Sequence, residues 1–253
     1  MSQRVLITAG ASGIGLAAAK AFTAAGARVH IADINAEAVA AASAGSPDIT
    51  GSVTDVSNPD AVAALFQDVQ KELGGLDVLV NNAGIAGPTA PVEEYDAGAF
   101  AAVIGVNLQG TFNVTQRAIP LLKESDAASI VTMSSLAGRF GYPNRVAYST
   151  TKWGLVGFAK TLAMELGPFG ITSNTIHPGA VDGPRIMSVF EGRASISGRT
   201  VQEEVDSAMA NQSVKKFINP DDIAALILFL AGPHARTISG QMFPIDGDSK
   251  AAV

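Results

Sequence analysis

Short β-branched runs alternate with longer alanine-rich stretches along almost the whole chain, and this alternation limits the possible folds more than any other feature. Arg4 to Thr8, Arg28 to Asp33, Asp77 to Asn81 and Ser129 to Ser134 read as strands, Ile171 to His177 and Met242 to Asp246 follow, and a weaker strand lies near Ile49 to Val53. Strands that are almost continuously apolar, with helices between them, belong to parallel sheets covered on both faces. The expected fold is α/β, a doubly wound parallel sheet of about seven strands. Right-handed crossovers then bring the strand C-terminal ends to one edge, where binding loops gather.

The helices carry their own boundary signals. Before the apolar run Ile223 to Ala231, Asn219 can cap and Pro220 suits the first helical position; Asp221 and Asp222 oppose the positive helix end, and Gly232-Pro233 stops it. That run is about half what a bilayer-spanning helix needs and reads as a core helix. Ala97 to Lys123 and Val146 to Leu166 read as long helices, whereas Gly183 to Val214 lacks a clear period and reads as a lid-like loop. No linker or repeat divides the chain, so residues 1–253 are expected to form one domain.

Composition excludes several functions. A net charge of −6 without any run of Lys or Arg gives no footprint for nucleic acid or an anionic membrane. There is no cysteine, which rules out disulfides, thiolate metal sites and a cysteine nucleophile, so redox chemistry would need a bound cofactor. His30, His177 and His234 have no metal-ligand spacing, and no metal is expected. The N-terminal apolar segment is interrupted too early for a secretory signal, so a cytoplasmic protein is expected.

Five features carry chemistry. Thr8-Ala9-Gly10-Ala11-Ser12-Gly13-Ile14-Gly15 lies between the first strand and a helix. Small residues there let backbone approach a pyrophosphate, and the helix N-terminus offers free N–H groups. Asp33 closes the second strand eighteen positions after Gly15 and can accept from an adenosine ribose, although an isolated Asp at a strand end is commonly a cap. Asn81-Asn82-Ala83-Gly84 can tie strand ends together or be a plain turn. Tyr148 and Lys152 stand four apart in a helical stretch, and a cation beside a phenol favours the phenolate needed for proton transfer. A hydroxyl of Ser134-Ser135, at a strand end, can hold a substrate oxygen, or can cap.

Together, in this order from Thr8 to about Gly247, these features resemble the compact branch of the short-chain dehydrogenase/reductase family, whose fold is Rossmann-like. The resemblance implies an NAD-dependent oxidoreductase that moves a hydride between a nicotinamide and a small alcohol or ketone. It makes Asn107, Ser135, Tyr148 and Lys152 catalytic, with Lys152 also on the nicotinamide ribose and Asn107 supporting a water. Its cofactor residues are Gly10, Ser12, Gly13, Ile14 and Gly15 in the loop, then Asp33, Asp55, Val56, Asn82, Ala83 and Gly84, with Tyr148, Lys152, Pro178, Gly179 and Val181 around the nicotinamide. The family also implies a homotetramer. The alternative is a dinucleotide-sensing binding protein of the same fold without turnover.

Two positions depart from the family pattern. Ala9 replaces the first loop glycine, so the turn is expected to avoid backbone geometry that only glycine tolerates. Gly183 stands where a threonine commonly holds the carboxamide. Ile186, Met187, Val189 and Phe190 could form an apolar cover, and Arg185, Arg193 and Arg199 could bind an acidic substrate group, although loop arginines are more often solvated.

Overall fold

A computed structural model describes residues 2–252. In chain order the first half contains β1 (Arg4–Thr8), α1 (Gly13–Ala24), β2 (Arg28–Asp33), α2 (Ala36–Ala44), β3 (Ile49–Val53), α3 (Pro59–Leu73) and β4 (Val78–Asn81). The second half runs α4 (Ala97–Ile104), α5 (Thr111–Leu122), β5 (Ser129–Met133), α6 (Val146–Leu166), β6 (Thr172–Pro178), α7 (Pro184–Ser197), α8 (Val201–Ala210), α9 (Pro220–Leu230) and β7 (Met242–Ile245). The strands form one sheet in the order β3-β2-β1-β4-β5-β6-β7, and every pairing is parallel.

The pleat sends alternate residues to opposite faces, and both faces are buried. Val5, Ile7, Val78 and Val80 pack on one side with Phe22 of α1 and Ile223 and Ile227 of α9. Leu6, Leu79 and Ile130 pack on the other with Leu65 of α3, Val114 of α5 and Leu162 of α6. This double burial explains why the strands read as unbroken apolar runs. The sheet order reverses between β1 and β4, and the crevice beyond their C-terminal ends is the usual ligand position in such sheets. Thr8 closes this point: its Oγ1 accepts from the Asn82 and Ala83 N–H groups at 2.9 and 3.0 Å.

Three expectations are corrected. Ala97 to Lys123 is not one α-helix, because a π-helical segment, Gly105–Gly110, separates α4 from α5. Gly183 to Val214 is not a loop: it folds mainly as α7 and α8, the latter opened by a capping box between Thr200 and Glu203. Gly198, at φ +72°, supplies the left-handed end of α7. Finally, Ala9 does not avoid the left-handed region. Its φ is +48°, which costs an L-residue about 1–2 kcal/mol, and the surrounding loop holds it there.

Candidate active site

The loop after β1 has little room for side chains. A Cβ on Gly10 would lie 2.7 Å from Ile31, and one on Gly15 would lie 2.1 Å from the Ala9 carbonyl oxygen. Asn82 locks the loop by donating to the carbonyls of Thr8 and Ala9 at 3.1 and 3.0 Å. Ser12 makes no side-chain cap, the first turn of α1 contains no acid, and the helix ladder starts only with Leu16 N–H on the Ser12 carbonyl. Donors at the start of α1 are thus free for an anion, and the close-packed glycines keep side chains out of the turn. These features fit the pyrophosphate of a dinucleotide.

Asp33 is fixed at the end of β2, where its carboxylate accepts from the N–H groups of Ala11 at 3.2 Å and Asn35 at 3.1 Å. Asp55 and Val56 follow β3. Asp55 is engaged locally with the N–H and hydroxyl of Ser57, and Val56 is buried with its carbonyl accepting from Asn113. Asp33, Asp55 and Val56 lie outside the main cavity, which has a volume of about 450 Å³. Ser12, Gly13, Ile14, Asn82, Gly84, Ser135, Tyr148, Lys152, Pro178, Gly179 and Val181 line it, while Gly10, Gly15, Ala83 and Asn107 do not.

The Pro178-Gly179 turn is pressed against the end of β7, since a Cβ on Gly179 would stand 2.9 Å from Asp246 Cα. Gly183 adopts φ +139°, a conformation an L side chain rarely takes. The backbone explains this glycine, and no hydroxyl is offered at that position.

Tyr148 and Lys152 project from the first turns of α6. Ala147, Thr151, Leu155, Ala159, Leu162 and Leu166 bury one stripe of this helix, which fixes the orientation of both side chains. Lys152 is only 3% exposed, and its ammonium donates to the Met133 carbonyl at 2.8 Å. Burial pushes Lys152 below its ordinary pKa, although Tyr148 raises it. For Tyr148, burial acts upward but is outweighed by Lys152, Arg185, Ser135 and Arg145, so the phenol lies below its ordinary value. Close approach of α6 requires Gly138, where a Cβ would stand 2.3 Å from Ser134 Oγ and 2.7 Å from the Lys152 carbonyl.

Asn107 is fully buried in the π-helical segment. Its Oδ1 accepts from Ile85 N–H at 2.8 Å, and its Nδ2 donates to the Ile85 carbonyl at 3.0 Å and Thr151 Oγ1 at 2.9 Å. It therefore joins the segment after β4 to α6. Inserting a π turn aims a side chain differently from a regular helix, and such turns recur at functional sites. Ser135 follows β5, where its Oγ accepts from Ala137 N–H at 3.2 Å.

Two residues here escaped the sequence reading. His177, considered there only as a metal ligand, is buried on β6 with Nδ1 at 3.0 Å from the Ser135 carbonyl and Nε2 at 2.8 Å from Thr175 Oγ1. A carbonyl only accepts, so Nδ1 carries the proton and Nε2 accepts from threonine. His177 thus positions the backbone of Ser135. Arg145, also unremarked, precedes α6 and enters the cavity beside Tyr148. Neither role has a sequence signal, because each depends on partners far away in the chain. Of the proposed apolar cover, Ile186, Val189 and Phe190 line the cavity, whereas Met187 does not. Arg199 pairs with Glu204 and stays outside it.

A doubly wound sheet with an anion-ready glycine loop at its switch point, and a Tyr-Lys pair across the crevice, defines a dinucleotide-binding oxidoreductase class. The comparisons agree: a family model described as "Enoyl-(Acyl carrier protein) reductase" matches residues 8–247. The chain belongs to the short-chain dehydrogenase/reductase family. It is 34% identical to D-beta-hydroxybutyrate dehydrogenase of Cupriavidus necator, over 96% of this chain and 95% of that protein. It superposes on a solved structure of a point variant of actinorhodin polyketide ketoreductase with NADPH at a TM-score of 0.92, with 31% identity over 97% of this chain and 96% of that one. The structure of NAD+-bound xylitol dehydrogenase gives a TM-score of 0.91 and 28% identity, covering 97% and 98%.

Burial pushes His177 down to about 4, outweighing the bond to Ser135 that raises it. Its folded pKa thus lies below the unfolded value near 6.5, so its contribution to stability is complete above about 6.5 and is lost as pH falls toward about 4. His177→Leu should flatten part of that acid loss while costing about 1–3 kcal/mol at neutral pH, because the Ser135 carbonyl loses its donor. His177→Asn, with an amide N–H near the Nδ1 position, should recover most of the neutral stability and turnover. Thermal melts and initial rates that fail to separate the two variants would contradict the positioning role.

Proposed function

We propose that the protein is an NAD-dependent oxidoreductase interconverting a secondary alcohol and a carbonyl, with Tyr148 as the acid/base. The observation that carries this reading is the buried ammonium of Lys152, 5.6 Å from the Tyr148 ring centroid, with both groups and Ser135 lining the same cavity. When bound, the nicotinamide supplies or accepts the hydride. Tyr148 protonates the carbonyl oxygen during reduction and takes the hydroxyl proton during oxidation. Lys152 stabilises the phenolate and, by family analogy, also binds the ribose. Ser135 orients the oxygen, with its backbone braced by His177. Asn107 holds Ile85 and Thr151 in place and, by the same analogy, supports a water. Ser12, Gly13 and Ile14 would hold the pyrophosphate and Asp33 the adenosine ribose.

A homotetramer belongs to the same reading. Phe112 of α5 and Trp153 and Met164 of α6 expose apolar side chains on the two helices expected to meet a partner.

Replacing Tyr148 with Phe removes only the transferable proton. Turnover, followed as NADH absorbance over an alcohol and ketone panel, should nearly vanish while NAD affinity stays within a few-fold. Retention of more than about a tenth of kcat would contradict the role.

Cofactor preference rests on charge. Asp33 already accepts two backbone N–H groups and has lone pairs left for the ribose hydroxyls, whereas a 2′-phosphate would set two negative groups together. Ala11, Ser12, Ile34 and Asn35 around it include no base. The discrimination should be about 2–3 kcal/mol, or tens- to hundreds-fold in kcat/KM for NAD over NADP. Asp33→Ser with Ile34→Arg should narrow or invert that ratio. Equal efficiency of the unmodified enzyme with both cofactors would contradict a ribose role for Asp33.

A further inference from the structure

The cavity carries more positive charge than the proposed proton transfer requires. Among the described residues, Arg145, Lys152, Arg185 and Arg193 line it against a single carboxylate, Asp182. Arg145 is only 3% exposed, and its partners are all neutral: Nη1 donates to Thr89 Oγ1 at 3.2 Å and Nη2 to the Ala86 carbonyl at 3.3 Å. Its Nε is buried with no partner. Salt bridges among the described residues are Arg4–Asp77, Lys71–Glu72, Arg139–Asp246 and Arg199–Glu204, none of which neutralises this group. A guanidinium does not shed its proton, and a buried, uncompensated one is costly. Arg193 and Arg185 add like charge rather than relief.

Tyr142 joins two of these cations. The Arg145 guanidinium lies 5.6 Å from its ring centroid and that of Arg193 lies 5.0 Å away, with Arg193 donating to the Tyr142 hydroxyl. Arg145 is also 5.4 Å from the Tyr148 ring, because it stands one helical turn before the phenol. An anion on Arg145 would therefore sit only a few bonds from the carbon whose oxygen Tyr148 serves. A guanidinium matches a planar carboxylate in paired hydrogen bonds, and Asp182 disfavours a second negative charge. Ile186, Val189 and Phe190 cover the short apolar remainder.

We propose that the substrate is a short oxo acid and its corresponding hydroxy acid, with the carboxylate held by Arg145 and enclosed by Arg193 and Arg185. This rests on the redox reading above for the place of the reacting oxygen, but its binding component can be tested alone. Protein saturated with NAD+, which cannot reduce a ketone, is titrated calorimetrically with acetoacetate, its methyl ester and dihydroxyacetone phosphate. Initial rates are then compared for 3-hydroxybutyrate and methyl 3-hydroxybutyrate.

The acid should bind at least tenfold more tightly than its ester and more tightly than the phosphate. Arg145→Met should collapse the acid-to-ester ratio toward one. Should that variant fail to fold, Arg193→Met should lower the ratio several-fold. A merely structural Arg145 would lower the melting temperature and leave the ratio unchanged. Equal binding of acid and ester, tighter binding of the phosphate, or an unmoved ratio in the variants overturns the proposal. Carboxylate binding without turnover of any alcohol would overturn the redox reading and leave only the carboxylate site at Arg145 standing; preferential turnover of esters and neutral alcohols would overturn the carboxylate site and leave the redox reading standing.

Discussion

The site depends on one buried ammonium. Lys152 is almost completely withdrawn from water, forms no salt bridge among the described residues, and donates to the Met133 carbonyl at the end of β5. Desolvating such a group costs several kcal/mol unless something nearby gains from its charge. The phenol of Tyr148, four residues earlier on the same helix, is that neighbour. The two groups shift one another in the directions expected of a cation beside an ionisable hydroxyl: the phenolate is favoured, and the ammonium is partly held against burial. In the proposed chemistry this coupling makes the tyrosine a better proton shuttle than a free phenol.

The surrounding fold serves to bring α6 down onto the end of β5. Ser134 Oγ donates to the Lys152 carbonyl at 2.9 Å, Gly138 lets the helix approach, and Asn107 ties Thr151 to the segment after β4. Gly84 is the tight point between Asn107 and the cation, since a Cβ there would lie 3.1 Å from Asn107 Oδ1 and 3.5 Å from Lys152 Nζ. The sheet reversal at β1 and β4 places the glycine loop across the crevice from this arrangement. One edge of the sheet therefore holds the start of α1, the Tyr148 phenol and the Ser135 hydroxyl, while α7 adds Arg185 and Arg193 to Arg145 and Lys152 at the start of α6.

The parts legible in the sequence share a local cause. Strands buried on both faces announce themselves as apolar runs, and caps such as Asn219, whose side chain accepts from Asp221 N–H at 2.9 Å, mark helix starts without tertiary information. The motif order also located the cavity. The rest was hidden because it depends on distant partners or small backbone changes. The π turn around Asn107 leaves no mark on apolar periodicity. The glycines that made 183–214 look like a loop serve separate purposes: Gly183 and Gly198 flank α7, and Gly192 leaves room for Thr89. The left-handed backbone of Ala9 is imposed from outside by the loop, and His177 and Arg145 acquire meaning only against Ser135 and Tyr148.

The most direct measurement is the ionisation of Tyr148 itself. The chain has only three tyrosines, so protein labelled with 13C at the tyrosine ζ carbon gives few signals, and the Tyr148→Phe spectrum assigns the one of interest. Titration should show Tyr148 losing its proton below the ordinary tyrosine value of about 10, and Lys152→Met should move it back upward. A Tyr148 signal that titrates at or above about 10 in the unmodified protein, or that ignores the loss of Lys152, would contradict the account.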